Sequence, residues 1–509
     1  HRASGSGFLT CESDQLRSRL AETEEELRKA RNKAGVINLD EAKKNYAEQI
    51  SRLRQEIAAA QADVSERSEV LHEMSHQSAD AASPDSQASV DASPEPTPDQ
   101  ISQYRALVSR EDTLNKREQQ ILITGFRSDS TRAKEVHEQI ADYQARKAKV
   151  LAMGNPKRLA ERKSKGILNA RERIDRLLDP DSFLESGLFA VAHRPEIRDR
   201  TPADGKVAGF GRIDGRPVAL VSNDFTVMGA GSSRVNGRKM RHIKETAKAR
   251  GLPIVFFGES TGARMPDVMG AANIGSGDDP TQYMRKRESP WASAVLGDAY
   301  GSSAWYAALS DFVVMRKGAT MAVASAKLSN MATSEQIDPE ELGGWRVHTE
   351  VSGMVDLAVD SDEEAIDAIK QFLGYLPGNN KELPPVRPVP AGSERAIDDI
   401  LKHFPESRTR AYDVRKVVRC IVDKDSLFEM KSRFGRAIVT GLARLNGESV
   451  GIVANNPLHK GGAIDPDACN KVTSFLVLCD SFNIPVVFLV DQPGFLIGIE
   501  GERKGAIGK

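Results

Sequence analysis

The feature that most constrains the fold of this chain is an internal repeat. The stretch GLPIVFFGESTGAR (251–264) has a second version, NIPVVFLVDQPGFLIG (483–498), at an offset of 232 residues (484 minus 252). The same offset holds upstream, where RIDGRPVALVSND (212–224) matches RLNGESVGIVANN (444–456). A constant offset over several separate stretches predicts two copies of one domain in tandem.

Each copy has the pattern of a β-hairpin followed by a helix and a buried strand. Asp214-Gly215 and Asn446-Gly447 are two-residue turn signals that tolerate the positive φ angles of a type I′ turn. The apolar run 252–257 is typical of a buried strand, and it breaks into small residues that begin a helix-compatible segment. The repeated unit is therefore predicted to be α/β, of a ββα type.

The bend after the buried strand is a candidate site for a developing negative charge. A strand that runs into a helix leaves backbone N–H groups without intrahelical partners, and such groups stabilise anions. Thr261 and Gly262 occupy the bend, and Gly301 and Ser302 form a second small-residue turn. Together they predict N–H donors that converge on one oxygen, an oxyanion hole. The alternative is that these small residues serve only packing.

Composition excludes several classes of partner. The chain has 509 residues and a formal net charge of −1, which gives no indication of binding to nucleic acid or to acidic membranes. No apolar run approaches the roughly 20 residues of a membrane span. The four cysteines have no metal-ligand spacing, so no metal site is expected, and free thiols suggest a reducing compartment.

The N-terminal third has a different character. Residues 1–74 show apolar positions at heptad spacing, which predicts a coiled-coil helix whose seam, within 11–74, needs a helical partner. Residues 75–100 are rich in Ser, Ala and Pro and predict a disordered linker. Residues 101–155 return to charged helical composition and predict a further coiled-coil segment.

Two basic segments leave alternatives open. Residues 157–183 form basic amphipathic helices that favour either a solvated face at the domain edge or a phosphate site. In 229–251, the cations Arg238, Lys239 and Arg241 either hold phosphates of a nucleotide-like group or belong to an ordinary amphipathic helix. Neither segment has the pattern of a nucleoside-triphosphate-binding loop.

A resemblance covers residues 157–509. Six motifs carry it, in this order: KGILNARERIDRLLDPDSFLE, GESTGARMPD, ALSDFVVM, EELGGWRVHTEVSGMVD, GYLPGNN and GGAIDPDACNKVTSFLVLCDSFNIPVVFLVDQPGFLIG. Together they resemble the carboxyltransferase (β) subunit of biotin-dependent acyl-CoA carboxylases, which include propionyl-CoA carboxylase. The resemblance implies tandem crotonase-like domains, with 156–385 on the acyl-CoA side and 386–509 on the biotin side.

The resemblance also implies a reaction and its residues. A carboxyl group would move from carboxybiotin to the α-carbon of an acyl-CoA, with backbone N–H groups stabilising the thioester enolate and the ureido oxyanion. The residues that match the family's donor turns are Thr261, Gly262, Gly301, Ser302, Gly494 and Phe495. The residues expected to hold coenzyme A are Ala263, Arg264, Arg238, Lys239 and Arg241.

The implied partners follow from the same resemblance. Biotin would come from a biotin carboxylase or biotin carboxyl carrier partner, and active sites would lie between subunits of a homo-oligomer in the cytoplasm or the mitochondrial matrix. Met430-Lys431 resembles the pair that carries covalent biotin in carrier domains. It lies inside the repeat, however, where a strand end is the better interpretation.

The chain departs from the family pattern at two places. Thr261 stands where the family usually has Gly, and Thr adopts positive φ less readily. The counterpart of Gly301 in the second copy would fall beyond Lys509, so the second domain is expected to be incomplete and the chain a fragment that is inactive by itself. The alternatives are the carboxyltransferase subunit of a biotin-dependent decarboxylase, or an inactive coiled-coil scaffold.

Overall fold

The chain divides into two compact units, His1–Asp142 and Tyr143–Lys509. The computed structural model describes residues 131–265, 267–269, 284–393, 397–407 and 410–508. The coiled coil and the linker predicted for 1–100 lie outside these residues, as does the part of the predicted helical segment before residue 131. Helix α1 (Thr131–Leu151) is the described part of that segment.

The first repeat (156–385) alternates strands and helices. Its helices are α2 (Pro156–Ser164), α3 (Ala170–Leu177), α4 (Arg234–Arg250), α5 (Ser302–Leu309), α6 (Ala326–Thr333), α7 (Pro339–Gly343) and α8 (Asp362–Tyr375). Its strands are β1 (Leu184–Glu185), β2 (Lys206–Ile213), β3 (Arg216–Asn223), β4 (Ile254–Thr261), β5 (Trp291–Tyr300), β6 (Phe312–Arg316), β7 (Thr320–Ala322) and β8 (Leu357–Val359).

These strands form one mixed sheet in the order β1-β2-β3-β4-β5-β6-β8, and β7 pairs with β5. The pairs from β1 to β3 are antiparallel, and those from β3 to β8 are parallel. The parallel strands are buried on both faces, as helix-covered strands must be. Their carboxyl ends bring the bend after β4 next to the turn after β5.

The second repeat (386–509) contributes a smaller sheet in the order β12-β11-β10-β9. Its strands are β9 (Phe428–Met430), β10 (Ile438–Leu445), β11 (Glu448–Asn455) and β12 (Val486–Leu489), and its helices are α9 (Val414–Ile421), α10 (Pro466–Ser481) and α11 (Ile499–Arg503). From β9 to β12 the pairing is antiparallel, antiparallel and then parallel, the same sequence as from β1 to β4. Strand β9 ends at Met430, which confirms that Met430-Lys431 marks a strand end.

Both predicted hairpin turns are confirmed. Asp214 and Gly215 have φ of 50° and 75°, and Asn446 and Gly447 have φ of 52° and 80°. Two consecutive positive φ angles are the requirement of a type I′ turn, and this turn matches the twist of the strands it joins.

Aromatic side chains join the two repeats into one core. The Phe312 ring stacks on Phe372 at 4.7 Å and meets Phe428 of the second repeat at 5.4 Å between ring centroids. The Tyr375 hydroxyl donates to the carbonyl of Ser426 at 2.5 Å. The repeats therefore share one hydrophobic interior, and the positions of their bends are set by a single packed body.

The two hairpin glycines provide a matched pair for stability measurements. A Cβ at Gly215 meets nothing within 4 Å, so Gly215→Ala should cost about 1 kcal/mol for the left-handed backbone alone. A Cβ at Gly447 would lie 2.1 Å from the Arg387 carbonyl oxygen, so Gly447→Ala should cost about 1–3 kcal/mol more. Urea unfolding measures both, and equal losses would contradict the packing of the 385–387 segment on this hairpin.

Candidate functional site

The first bend is held by a backbone clamp from the loop before α4. The Ser232 N–H donates to the Gly262 carbonyl at 2.8 Å, and the Arg264 N–H donates to the Ser232 carbonyl at 2.9 Å. Gly262 has a φ of 96°, which glycine adopts without strain. The clamp fixes the direction in which the backbone leaves β4.

The second bend has the same clamp. The Ile464 N–H donates to the Gly494 carbonyl at 3.0 Å, and the Leu496 N–H donates to the Ile464 carbonyl at 2.8 Å. Gly494 has a φ of 131°. Every participating residue lies 232 positions after its counterpart, so the bends predicted from the sequence repeat are also repeated in their hydrogen bonds.

The turn after β5 lies directly against the first bend. Gly301 has a φ of 60° and precedes α5, and a Cβ at Gly301 would lie 3.4 Å from the Gly262 Cα. The Ser302 hydroxyl shares a 2.7 Å hydrogen bond with the Ser232 hydroxyl of the clamp. The structure therefore brings Gly262, Gly301 and Ser302 together, and the first-turn N–H groups of α5 point out of the same region.

The N–H groups of Gly262 and Ala263 at the first bend have different surroundings. The Gly262 N–H donates to the Ser260 hydroxyl at 3.0 Å, so it is already engaged. Ala263 is the residue that pairs with Ser232 in the clamp, and a residue in this position of a parallel bridge directs its own N–H to the opposite side. Among the described residues none accepts from the Ala263 N–H. Phe495 holds the corresponding place in the second bend and is 68% exposed.

Thr261 does not strain the bend. It is the last residue of β4, and the positive φ falls on Gly262. The Thr261 side chain packs against Gly229, where an added Cβ would lie 2.5 Å from the Thr261 Cγ2. Having Thr261 in place of Gly therefore changes the surface beside the bend, while the backbone of the bend needs no positive φ at this residue.

A cavity of about 890 Å³ opens beside the first bend. Thr261 and Gly229 line it on the side of the bend. The cavity is also lined by the basic side chains of Arg158, Arg162, Lys165 and Arg200 and by the carboxylates of Glu161 and Asp199. Glu259 forms an ion pair with Arg162, and Glu161 forms one with Lys165. Basic residues of the segment 157–183 thus line a cavity beside the donors, which favours the phosphate alternative for that segment.

Two of the predicted phosphate ligands point into the protein. The Lys239 ammonium donates to the carbonyls of Lys206 at 2.6 Å and Gly187 at 3.0 Å, and burial lowers the pKa of Lys239 to about 8. Arg264 is 5% exposed and forms ion pairs with Asp204 at 2.7 Å and Asp267 at 2.5 Å. The described contacts of both cations are internal, and their role in holding coenzyme A stays a prediction.

Arg238 and Arg241 have different surroundings. Arg238 is exposed on α4, and Arg241 is half-buried on the same helix. Neither lines the 890 Å³ cavity. Their role in binding phosphates stays a prediction.

The inward lysine is also repeated. The Lys471 ammonium donates to the carbonyls of Ile438 at 2.7 Å and Phe434 at 3.0 Å, and burial lowers the pKa of Lys471 to about 7. Lys471 and Ile438 lie 232 residues after Lys239 and Lys206. The repeat offset alone shows that Lys239 and Lys471 are equivalent. That their side chains point inward could not be predicted, because it depends on carbonyl groups contributed by other elements.

Sequence reasoning missed the residues that hold the first bend from below. The Ser232 N–H donates to the Gly262 carbonyl, and the Ser260 hydroxyl accepts from the Gly262 N–H. The side chain of Asn223 donates to the nearby carbonyl of Glu259 at 2.8 Å. Asn223 has a matching asparagine, Asn455, at the repeat offset, which was an available signal. Ser232 corresponds to Ile464, so its side chain gave no signal.

The described residues contain neither a metal-binding cluster of His, Cys, Asp and Glu nor a helix long and apolar enough to span a membrane.

Comparison with known proteins shows what the chain resembles. Residues 161–509 match the carboxyl transferase domain family. The propionyl-CoA carboxylase beta chain of Roseobacter denitrificans is 35% identical over 381 residues, which cover 74% of each chain. The methylmalonyl-CoA carboxyltransferase 12S subunit of Propionibacterium freudenreichii subsp. shermanii is 37% identical over 367 residues, which cover 70% of this chain and 68% of that subunit.

Solved structures agree with these relatives. The hexameric transcarboxylase 12S with methylmalonyl-coenzyme A and methylmalonic acid bound has a TM-score of 0.68 at 35% identity, and the match covers 74% of each chain. A single-chain, multi-domain long-chain acyl-CoA carboxylase has a TM-score of 0.64 at 31% identity, with 72% of this chain and 38% of that one covered. The α/β fold described above is therefore that of carboxyltransferases.

The buried lysine of the second repeat makes stability depend on pH. The pKa of Lys471 is about 7 in the folded protein against 10.5 ordinarily, so between these values the unfolded chain binds the extra proton. Stability should therefore rise with pH in this window, by up to about 1.4 kcal/mol per pH unit. Lys471→Met should reduce the rise, and the part due to Lys206 and Lys239, whose pKa values burial lowers to about 8, should remain. Urea unfolding from pH 7 to 10 measures it, with Lys416→Met, an exposed lysine of α9, as the control. An unchanged slope in Lys471→Met would contradict the burial of this ammonium.

Proposed function

The chain belongs to the carboxyl transferase domain family, and on that premise we propose that it is the carboxyltransferase component of a biotin-dependent acyl-CoA carboxylase. It transfers a carboxyl group from N1 of carboxybiotin to the α-carbon of an acyl-CoA. The observation that carries the proposal is the pair of clamped bends, one for each of the two oxygens that become negatively charged in this reaction.

The chemistry requires few side chains. Loss of CO₂ from N1 of carboxybiotin leaves negative charge on the ureido oxygen, and N1 takes up the proton from the α-carbon of the thioester. The resulting enolate carries negative charge on its carbonyl oxygen, and its α-carbon then bonds to the CO₂. Fixed N–H donors stabilise both developing charges without reorganising. At the first bend the Ala263 N–H and the first turn of α5 supply these donors. At the second bend the N–H of Phe495 faces the ureido oxygen of biotin. Because such donors act on developing charge, they accelerate the reaction more than they strengthen substrate binding.

We further infer that residues 156–385 and 386–509 are tandem crotonase-like domains, with acyl-CoA on the first and biotin on the second. The repeated hairpins, clamps and inward lysines support this division. The basic cavity beside Thr261 supports coenzyme A on the first domain, since its cations match the phosphates of that group.

Biotin is supplied by a partner in this proposal, as a biotin carboxylase or carboxyl carrier subunit, and the active site lies between subunits of a homo-oligomer. The hexamer of the similar transcarboxylase 12S supports the oligomer. A helical partner for residues 11–74 and a location in the cytoplasm or the mitochondrial matrix belong to the same proposal.

The direct test uses the full-length protein with its biotin-carrying partner. Carboxylation of acetyl-, propionyl- and longer acyl-CoAs is followed with labelled bicarbonate and ATP, and the reverse transfer is followed from the carboxylated acyl-CoA to biotin. We expect carboxylated acyl-CoA in the forward assay. Transfer only in the reverse direction would favour the decarboxylase alternative, and no transfer in either direction would refute the proposal.

Gly301→Ala tests the paired turns within that assay. Gly301 has φ 60° and ψ −122°, a backbone conformation that is nearly restricted to glycine, and an added Cβ would lie 3.4 Å from the Gly262 Cα. The substitution should therefore shift the two donor turns relative to each other. Since loss of one oxyanion donor costs about 10²–10³ in kcat, we expect a decrease of at least about tenfold in kcat. Gly215→Ala is the control, because it also places a Cβ at a positive φ, but at the hairpin end of the sheet. Equal activity in the two variants would contradict the role of the turn.

A further inference from the structure

We propose that Asn223 is a positioning residue that fixes the spacing between the two donor turns of the first repeat. This inference rests on the proposed function. Asn223 is the last residue of β3 and is 5% exposed. Its side-chain amide donates to the Glu259 carbonyl at 2.8 Å and to the Ser303 hydroxyl at 3.0 Å. One side chain therefore holds both the end of β4 and the first turn of α5.

The backbone pairing of the sheet is interrupted at Glu259, where the Asn223 side chain binds. The backbone pairing of β3 with β4 ends at Ser222 and Phe257. The pairing of β4 with β5 shifts register between Gly258 and Ser260, so Glu259 lies at an irregularity. A register shift redirects the strand that contains it. The Asn223 amide binds the carbonyl at this irregularity, three residues before the clamped bend at Gly262, and so sets where β4 ends.

Lys206 determines which way the Asn223 amide faces. The Lys206 ammonium donates to the Asn223 Oδ1 at 3.0 Å. An ammonium has only donors, so it selects the oxygen of the amide and leaves the NH₂ group toward Glu259 and Ser303. Lys206 is 2% exposed and Ser303 is 3% exposed, so water does not compete for these bonds.

The second repeat shows the same residue with the opposite orientation. Asn455 corresponds to Asn223, and its Oδ1 accepts from the Asp491 N–H at 3.4 Å. Its NH₂ group donates to the Gly462 carbonyl at 3.2 Å. Ile438 stands where the first repeat has Lys206, so no ammonium selects the oxygen. The asparagine contacts the corresponding strand in both repeats, through its NH₂ group in the first and through its Oδ1 in the second.

Asn223→Asp tests the assignment with a side chain of the same shape. A carboxylate would face the Glu259 carbonyl and lose the donated hydrogen bond, so the donor turns should move apart. We expect kcat for carboxyl transfer to fall by about tenfold or more, while KM for the acyl-CoA stays within about twofold, because misplaced donors affect the developing charge. The control is Thr349→Val, which removes a buried hydrogen bond to Trp345 away from the bends and should leave kcat unchanged.

Ser303→Ala separates positioning from general stability. If Asn223 acts through Ser303, the double variant Asn223→Asp/Ser303→Ala should lose less kcat than the product of the two single losses. If Asn223→Asp does not yield folded protein, Ser303→Ala alone should still lower kcat by about threefold or more without changing KM. Normal kcat in the single variants, or multiplicative losses in the cycle, would overturn the inference.

Hydrogen exchange decides the inference independently of activity. Asn223→Asp should accelerate amide exchange in both 258–264 and 301–306 relative to the wild type, whereas Thr349→Val should not. Exchange unchanged in either segment would overturn the inference. If Asn223→Asp shows the faster exchange but the wild-type protein transfers no carboxyl group, the proposed function is refuted instead.

Discussion

Two backbone hydrogen bonds per bend hold the chemistry of this protein in place. In each repeat, one loop residue donates its N–H to the carbonyl of the bend glycine and accepts from the residue two positions later. The loop residue is Ser232 in the first repeat and Ile464 in the second. Because the clamp uses only backbone atoms, the side chain of the loop residue can differ completely between the repeats. The clamp leaves the N–H of the residue between, Ala263 or Phe495, directed outward, which is the geometry that stabilisation of an oxyanion requires.

Buried charges support the clamp of the first repeat. Glu259, at the end of β4, forms 2.6 Å ion pairs with Arg162 of α2 and Arg173 of α3. Burial raises the pKa of Glu259, but the two guanidinium groups outweigh it, so the net pKa is lower than usual. Arg173 also pairs with Asp362 of α8 at 2.9 Å. Removing one member would leave an uncompensated buried charge, so this cluster ties the bend to three helices.

The two repeats share a backbone and differ in their side-chain supports. Arg264 and Asp204 form an ion pair beneath the first bend, while the positions 232 residues later are Leu496 and Arg436. Lys206 likewise becomes Ile438. The ion pair beneath the first bend is thus not repeated by the residues at the equivalent positions of the second. This asymmetry fits two sites that stabilise similar oxygens on different molecules, a thioester and a cyclic urea.

The sequence alone determined the repeat, the hairpins, the buried strands and the location of both bends, because these follow from local patterns and from a constant offset. It also identified the family, from the order of its motifs. Tertiary structure decided which N–H group at the first bend is available, since the Ser260 hydroxyl accepts from that of Gly262. It also decided that Lys239 and Arg264 point inward. Their partners, Lys206 and Asp204, are remote in sequence, and the direction of a long cationic side chain depends on which buried acceptors the fold brings to it.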